Sequence, residues 1–153
     1  MQVAIVDFPA TLVAALEHRG PESLTWQTTE KFVQWRRENG MRPGIGNTYG
    51  VHYNYHGHVL PEDYRLDLCV SVQQPVAPNP YGVVTKTIPA GRCACVRNIG
   101  SRHELAGPRY LHEVWLPQSG EQLRDYPMFF HYVNVGPGLK DHELITDIYL
   151  PIK

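Results

Sequence analysis

Apolar and polar residues alternate along Arg65–Val72: Leu66, Leu68, Val70 and Val72 fall on one side, Arg65, Asp67, Cys69 and Ser71 on the other. A period of two predicts a strand. Glu143–Leu150 sorts in the same way, with Leu144, Ile148 and Leu150 against Ile145, Asp147 and Tyr149. Richness in β-formers between Gly and Pro punctuation predicts further strands over Gln2–Phe8, Leu12–His18, Tyr49–Tyr55, Val83–Ile88, Arg92–Asn98 and Met128–Val133. Pro9 removes a ladder donor and marks a bend between the first two.

Elsewhere the period lengthens. Glu22–Asn39 places Phe32 and Trp35 on one helix face, with Leu24 and Thr28 earlier on it and Arg36, Arg37 and Glu38 on the wet side. Pro21 suits its first turn, and Asn39-Gly40 is a stop signal. A second helix is expected from the possible capping box Ser101-x-x-Glu104. It breaks and restarts at Gly107-Pro108, carries Tyr110, Leu111, Val114 and Trp115 as its stripe, and ends at Pro117.

The whole pattern occurs twice. Pro9-Ala10 matches Pro89-Ala90, Gly20 matches Gly100, Trp35 matches Trp115, Gly40 matches Gly120 and Asp67 matches Asp147, all 80 positions apart. His52-Tyr53 matches His131-Tyr132 at a spacing of 79. A single domain over 1–153 is therefore expected, with repeat one at 1–72, a proline-rich linker at 73–82 and repeat two at 83–153. Each repeat reads strand–strand–helix–strand–strand. The expected class is α+β: a mostly antiparallel sheet, helices on one face, and a cleft between the repeats. The all-apolar strand faces belong under the helices. The opposite face then carries Asp67, Cys69, Asp147 and Tyr149, with His52, Asn54 and His131 assigned to it. A sheet face that nothing in the sequence covers is a candidate ligand platform.

Charge narrows the partners. Fourteen Lys and Arg against fifteen Asp and Glu leave a net charge of −1, so no direct nucleic-acid binding is expected. No apolar run approaches the length of a membrane span, and Met1–Phe8 does not resemble a secretory leader. With three cysteines, Cys69, Cys93 and Cys95, the expectation is a cytoplasmic protein with free thiols. His56-Gly57-His58, with His52 four residues earlier, invites a metal ion, but a site also needs a third ligand on the same face and supporting hydrogen bonds, and Gly57 and Pro61 suggest an exposed turn. Neither a phosphate-binding loop nor a nucleophile elbow nor a dinucleotide fingerprint is present, and no metal or cofactor is expected.

Ile88-Pro89-Ala90, the WLPQSG of Trp115–Gly120, the YPMFFHYVN of Tyr126–Asn134 and the terminal ELITDIYLPI of Glu143–Ile152 together resemble the GyrI-like family. This is a small-molecule-binding module related to bacterial DNA gyrase inhibitors, and it also forms the effector-binding part of some AraC-type and MerR-type regulators. The resemblance covers nearly the whole chain. It implies a duplicated sheet-and-helix fold with a ligand cleft between its halves. In many members a glutamate among the aromatics of the penultimate strand points into that cleft; His131 takes that slot here and supplies no fixed negative charge. The regulators carry a DNA-binding module ahead of the domain. This chain starts at the first strand, so a free-standing member is expected.

The expected function is binding of a small lipophilic or aromatic ligand, to sequester a toxin or sense an effector. The expected lining is His52, Asn54, Asp67, His131, Asp147 and Tyr149, with Trp115 and Phe129 as apolar walls. One alternative is hydrolysis of an electrophilic small molecule, with His131 or Asp147 activating water. Another, implied by the resemblance, is modulation of DNA gyrase through protein contact.

Overall fold

The alternating segments form one eight-stranded antiparallel sheet in the computed structural model, which describes residues 1–54 and 59–153. The strands are β1 (Ala4–Phe8), β2 (Thr11–Arg19), β3 (Thr48–His52), β4 (Arg65–Ser71), β5 (Val84–Ile88), β6 (Gly91–Ile99), β7 (Met128–Tyr132) and β8 (Ile145–Pro151). Their order across the sheet is β1-β6-β8-β7-β3-β4-β2-β5. When β1–β4 are matched with β5–β8, this order is the same from either end. Each later strand begins 80 residues after its counterpart: Val84 after Ala4, Gly91 after Thr11, Met128 after Thr48 and Ile145 after Arg65. The two halves meet where β3 pairs with β7, with Gly50 opposite Phe130.

Helix α1 (Thr25–Glu38) follows a 3-10 turn at Glu22–Leu24. Phe32 and Trp35 stack at 5.9 Å between ring centroids and pack over Ala14, Leu16, Val70 and Val83. The second helix differs from expectation at both ends. Ser101 does not start it; its Oγ accepts from the His103 N–H and closes a turn instead. Helix α2 begins at Gly107 and runs as Gly107–Arg109, a wide π-type segment Tyr110–Trp115, and Leu116–Ser119. Gly107 is needed there, because a Cβ would lie 2.5 Å from Ile148 Cδ1 and 2.8 Å from Val96 Cγ2. Pro117 does not end the helix. A proline ring normally clashes with the carbonyl four residues back. The widened turn just before it, in which the Leu116 N–H reaches Leu111 O, makes room for the ring. The helix stops at Gly120, whose φ of 77° is left-handed.

Both faces of the sheet are packed. Under α2 lie Ala94, Val96, Leu111, Met128, Phe130, Ile148 and Leu150. On the face away from the helices, Phe8, Val13, Ala15, Tyr49, Val51, Cys69, Ile88, Cys93 and Phe129 form one cluster. Phe8 and Ile88 come from the two edge strands, so the sheet curls into a half-barrel and closes on its own concave face. This corrects the expectation of an uncovered platform. Alternation shows which residues share a face, but not that the face folds onto itself. No helix among the described residues is long and apolar enough to cross a membrane.

Candidate functional site

Register decides where each candidate residue points, because directly opposed residues on neighbouring strands share a face. Val51 lies opposite both Asp67 and Phe129, and Tyr49 lies opposite His131. His131 in turn faces Asp147, and Phe129 faces Tyr149. Asp67, Phe129, His131, Asp147 and Tyr149 therefore all stand on the concave side. His52 lies opposite Leu66 and Met128, on the helix side. Grouping His52 and Asn54 with Asp67 and Asp147 is thus corrected. A strand spacing of 80 makes Tyr132, not His131, the counterpart of His52, and a slip of one residue moves a side chain to the other face.

On the helix side, above the β3–β7 junction, the halves leave a cleft of about 800 Å³. One wall is Pro21, Glu22 and Ser23, just ahead of α1; the facing wall is Arg102, His103, Glu104 and Leu105, just ahead of α2. His52 and Phe130 line it from the sheet, their ring centroids 4.0 Å apart. Asn54, Val59, Pro61, Tyr64 and Arg65 complete the lining. The volume and the mix of apolar surface with a few polar groups suit a drug-sized molecule.

The walls are pinned by polar contacts that are mostly half-buried. His18 Nε2 lies 3.0 Å from the Pro21 carbonyl and 3.2 Å from that of Gly20. Carbonyls only accept, so this nitrogen carries the proton, and Nδ1 takes the Thr28 hydroxyl at 2.7 Å. Asn54 Oδ1 accepts the Arg65 N–H at 2.7 Å. Arg102 donates through Nε to Thr146 Oγ1 at 2.8 Å and through Nη2 to the carbonyls of Ile145 and Asn134 at 2.7 and 2.9 Å. Its guanidinium lies 5.0 Å from the Tyr132 ring centre. Tyr132 Oη meets His52 Nε2 at 3.4 Å. Gly50 keeps this pair in place, since a Cβ there would lie 2.7 Å from the Tyr132 oxygen.

Burial pushes the His52 imidazole down from 6.5 to about 4, so the ring is neutral at physiological pH. Between those values the unfolded chain binds a proton that the folded chain refuses. Stability therefore falls as pH drops through this window. The expected contribution is about 2–3 kcal/mol lost between pH 7 and pH 4. Urea unfolding at a series of pH values measures it, and His52→Phe should remove this part of the slope.

The concave-side residues make a different set of contacts. Both oxygens of Asp147 are held by Arg97, at 2.8 and 3.0 Å. His131 packs against Tyr49 at 4.9 Å, and its pKa is lowered by burial, partly opposed by Asp147. Asp67 Oδ2 accepts both the Tyr53 hydroxyl, at 2.7 Å, and Lys86 Nζ, at 2.8 Å. Tyr149 stacks on Phe129 at 5.0 Å. None of these residues lines the cleft. The His131 slot therefore faces away from it; of the strand's helix-side positions Phe130 lines the cleft, and Tyr132 packs beside it under the helix. Trp115 packs half-buried against the cluster under α2 and lies outside the cleft lining. The thiols of Cys69, Cys93 and Cys95 are free, with burial raising each pKa. His56-Gly57-His58 lies outside the described residues. Sequence reasoning missed Ser23, Tyr64, Arg102 and Phe130. A spacing of 80 held through every strand would have brought Phe130 to the junction, opposite Gly50.

A cleft between two related halves of one α+β sheet, apolar beneath and polar at the sides, defines a small-molecule-binding module. The chain belongs to the GyrI-like family: it matches the GyrI-like small molecule binding domain over residues 1–153. It is 36% identical to the Probable transcriptional regulator YgiV of Escherichia coli K12, over 99% of this chain and 96% of that one. Among solved structures, the EcmrR C-terminal domain matches with a TM-score of 0.77 at 16% identity, covering 99% of this chain and 97% of that one. SAV2435 bound to tetraphenylphosphonium matches at 0.59 and 13% identity, covering 100% and 94%.

Proposed function

We propose that this protein binds a small, largely apolar aromatic molecule in the cleft between its halves, and so senses or sequesters it. The observation that carries this reading is the 800 Å³ cleft with Phe130 and His52 beneath it and walls from both halves. An aromatic ring placed there packs against the part of Phe130 and His52 that lines the cleft, while Ser23, Asn54, Tyr64 and Arg102 supply polar contacts at the sides. The YgiV similarity supports a sensing role, and the SAV2435 fold match supports an aromatic occupant. The residues on the concave side then act as structure.

The test is a thermal-shift screen of aromatic carboxylates, amides and quaternary ammonium ions, repeated on Ser23→Trp. Ser23 is exposed and lines the cleft, so an indole there fills it without disturbing the core. A ligand at a hundred times its Kd stabilises the native state by about 2.7 kcal/mol. That stabilisation is expected in the native protein and should vanish in Ser23→Trp. A shift unchanged by the substitution would place the ligand elsewhere and overturn the reading.

A further inference from the structure

Arg102 is the one cleft residue whose charge is both held in place and uncompensated among the described residues. The acceptors around it, Thr146 Oγ1, Ile145 O, Asn134 O and Asn134 Oδ1, are all neutral. No carboxylate among the described residues forms an ion pair with it. Its Nη1 makes no hydrogen bond among those residues, whereas Nε and Nη2 are engaged. The guanidinium is half-buried, so water screens it less than it would a surface arginine.

The other charges of the cleft do not cancel it. Arg65 is paired with Glu17, a carboxylate it shares with the exposed Arg19. Glu22, His103 and Glu104 are exposed. Beneath lie the neutral His52 ring and Phe130. The interior of the cleft therefore combines an aromatic surface with one fixed positive donor, and lacks the buried carboxylate that a cationic ligand would need among its described residues.

We propose that the ligand of this cleft is an organic anion, an aromatic ring bearing a carboxylate, with the ring against the cleft-lining part of Phe130 and His52 and the carboxylate on Arg102. This rests on the cleft reading above and adds the charge of the occupant. Charge-assisted bonds from a held guanidinium are about twice as strong as neutral ones. A carboxylate should thus gain at least about tenfold in affinity over its neutral amide.

The experiment is isothermal titration calorimetry of three probes on one skeleton: 2-naphthoate, 2-naphthamide and 2-naphthyltrimethylammonium. The expected order is naphthoate at least about tenfold tighter than the amide, with the ammonium weakest. Arg102→Gln should bring naphthoate down to the level of the amide, and Arg102→Lys should keep part of the preference. The wild-type order alone decides the matter if Arg102→Gln does not fold. An amide or ammonium that binds as tightly as naphthoate overturns the anionic assignment but leaves the cleft reading standing. Failure of all three to bind, or binding unchanged by Ser23→Trp, overturns the cleft reading and this inference with it.

Discussion

Phe129→Ala should lower the unfolding free energy by about 3–5 kcal/mol, the range for deleting a buried aromatic side chain. Domain stabilities run to about 5–15 kcal/mol, so this is a large fraction of the total. Phe129 has no exposed surface. Its ring meets Phe8 edge-on at 4.8 Å, Tyr149 face-on at 5.0 Å and Tyr126 at 6.2 Å. Phe8 belongs to the edge strand β1, so the cavity would loosen the closure of the half-barrel as well as the centre of the sheet. Urea denaturation measures the loss. A cost under about 1 kcal/mol would mean that the concave side is not the tight core described above. The position also separates two roles for one aromatic pair. Phe129 and Phe130 are adjacent in sequence, yet the first holds the concave core and the second lies beneath the cleft.

The second large effect is expected at Lys86. Asp67 is 1% exposed, and its carboxylate depends on Lys86 and the Tyr53 hydroxyl. Oδ1 of the same carboxylate has no hydrogen-bond partner among the described residues. Lys86→Met leaves a buried negative charge with one neutral donor. Breaking a buried pair from one side costs about 3–5 kcal/mol. The Lys86 side chain is 34% exposed, which puts the expectation at the lower end, about 3 kcal/mol. Adding Asp67→Asn to Lys86→Met removes the uncompensated charge and should recover much of that loss. A double variant as unstable as Lys86→Met alone would show that the lysine acts by packing rather than by charge. Neither change touches the cleft, so naphthoate affinity should hold in both.

Much of this fold was legible because it is local. Leu66, Leu68 and Val70 alternate with Asp67 and Cys69, and that alternation fixes β4 and its two faces without reference to any neighbour. Phe32 and Trp35, with Gly40 after them, mark α1 and its end. Gly20 and Gly100 stand 80 positions apart, the spacing at which the strand starts also recur. The motifs at Trp115–Gly120 and Tyr126–Asn134 were enough to suggest the family.

The site was only half legible, for a reason visible at His52 and His131. Matching His-Tyr to His-Tyr is a natural alignment, but it shifts the register by one. Only the ladder between β3 and β7 shows that Gly50 pairs with Phe130, and hence that Tyr132 reaches His52. Arg102 lies in a turn with no periodic pattern, and its importance comes from Thr146 and Ile145, more than forty residues away. By itself, then, the chain determines its strands, its first helix and its family, because hydrophobic period and turn chemistry act over a few neighbouring residues. The tertiary structure alone decides that the concave face is closed core, that the cleft lies on the helix side, and that Arg102 is held at its wall by neutral acceptors. Those outcomes depend on sheet curl and strand register, which are properties of residues far apart in the chain.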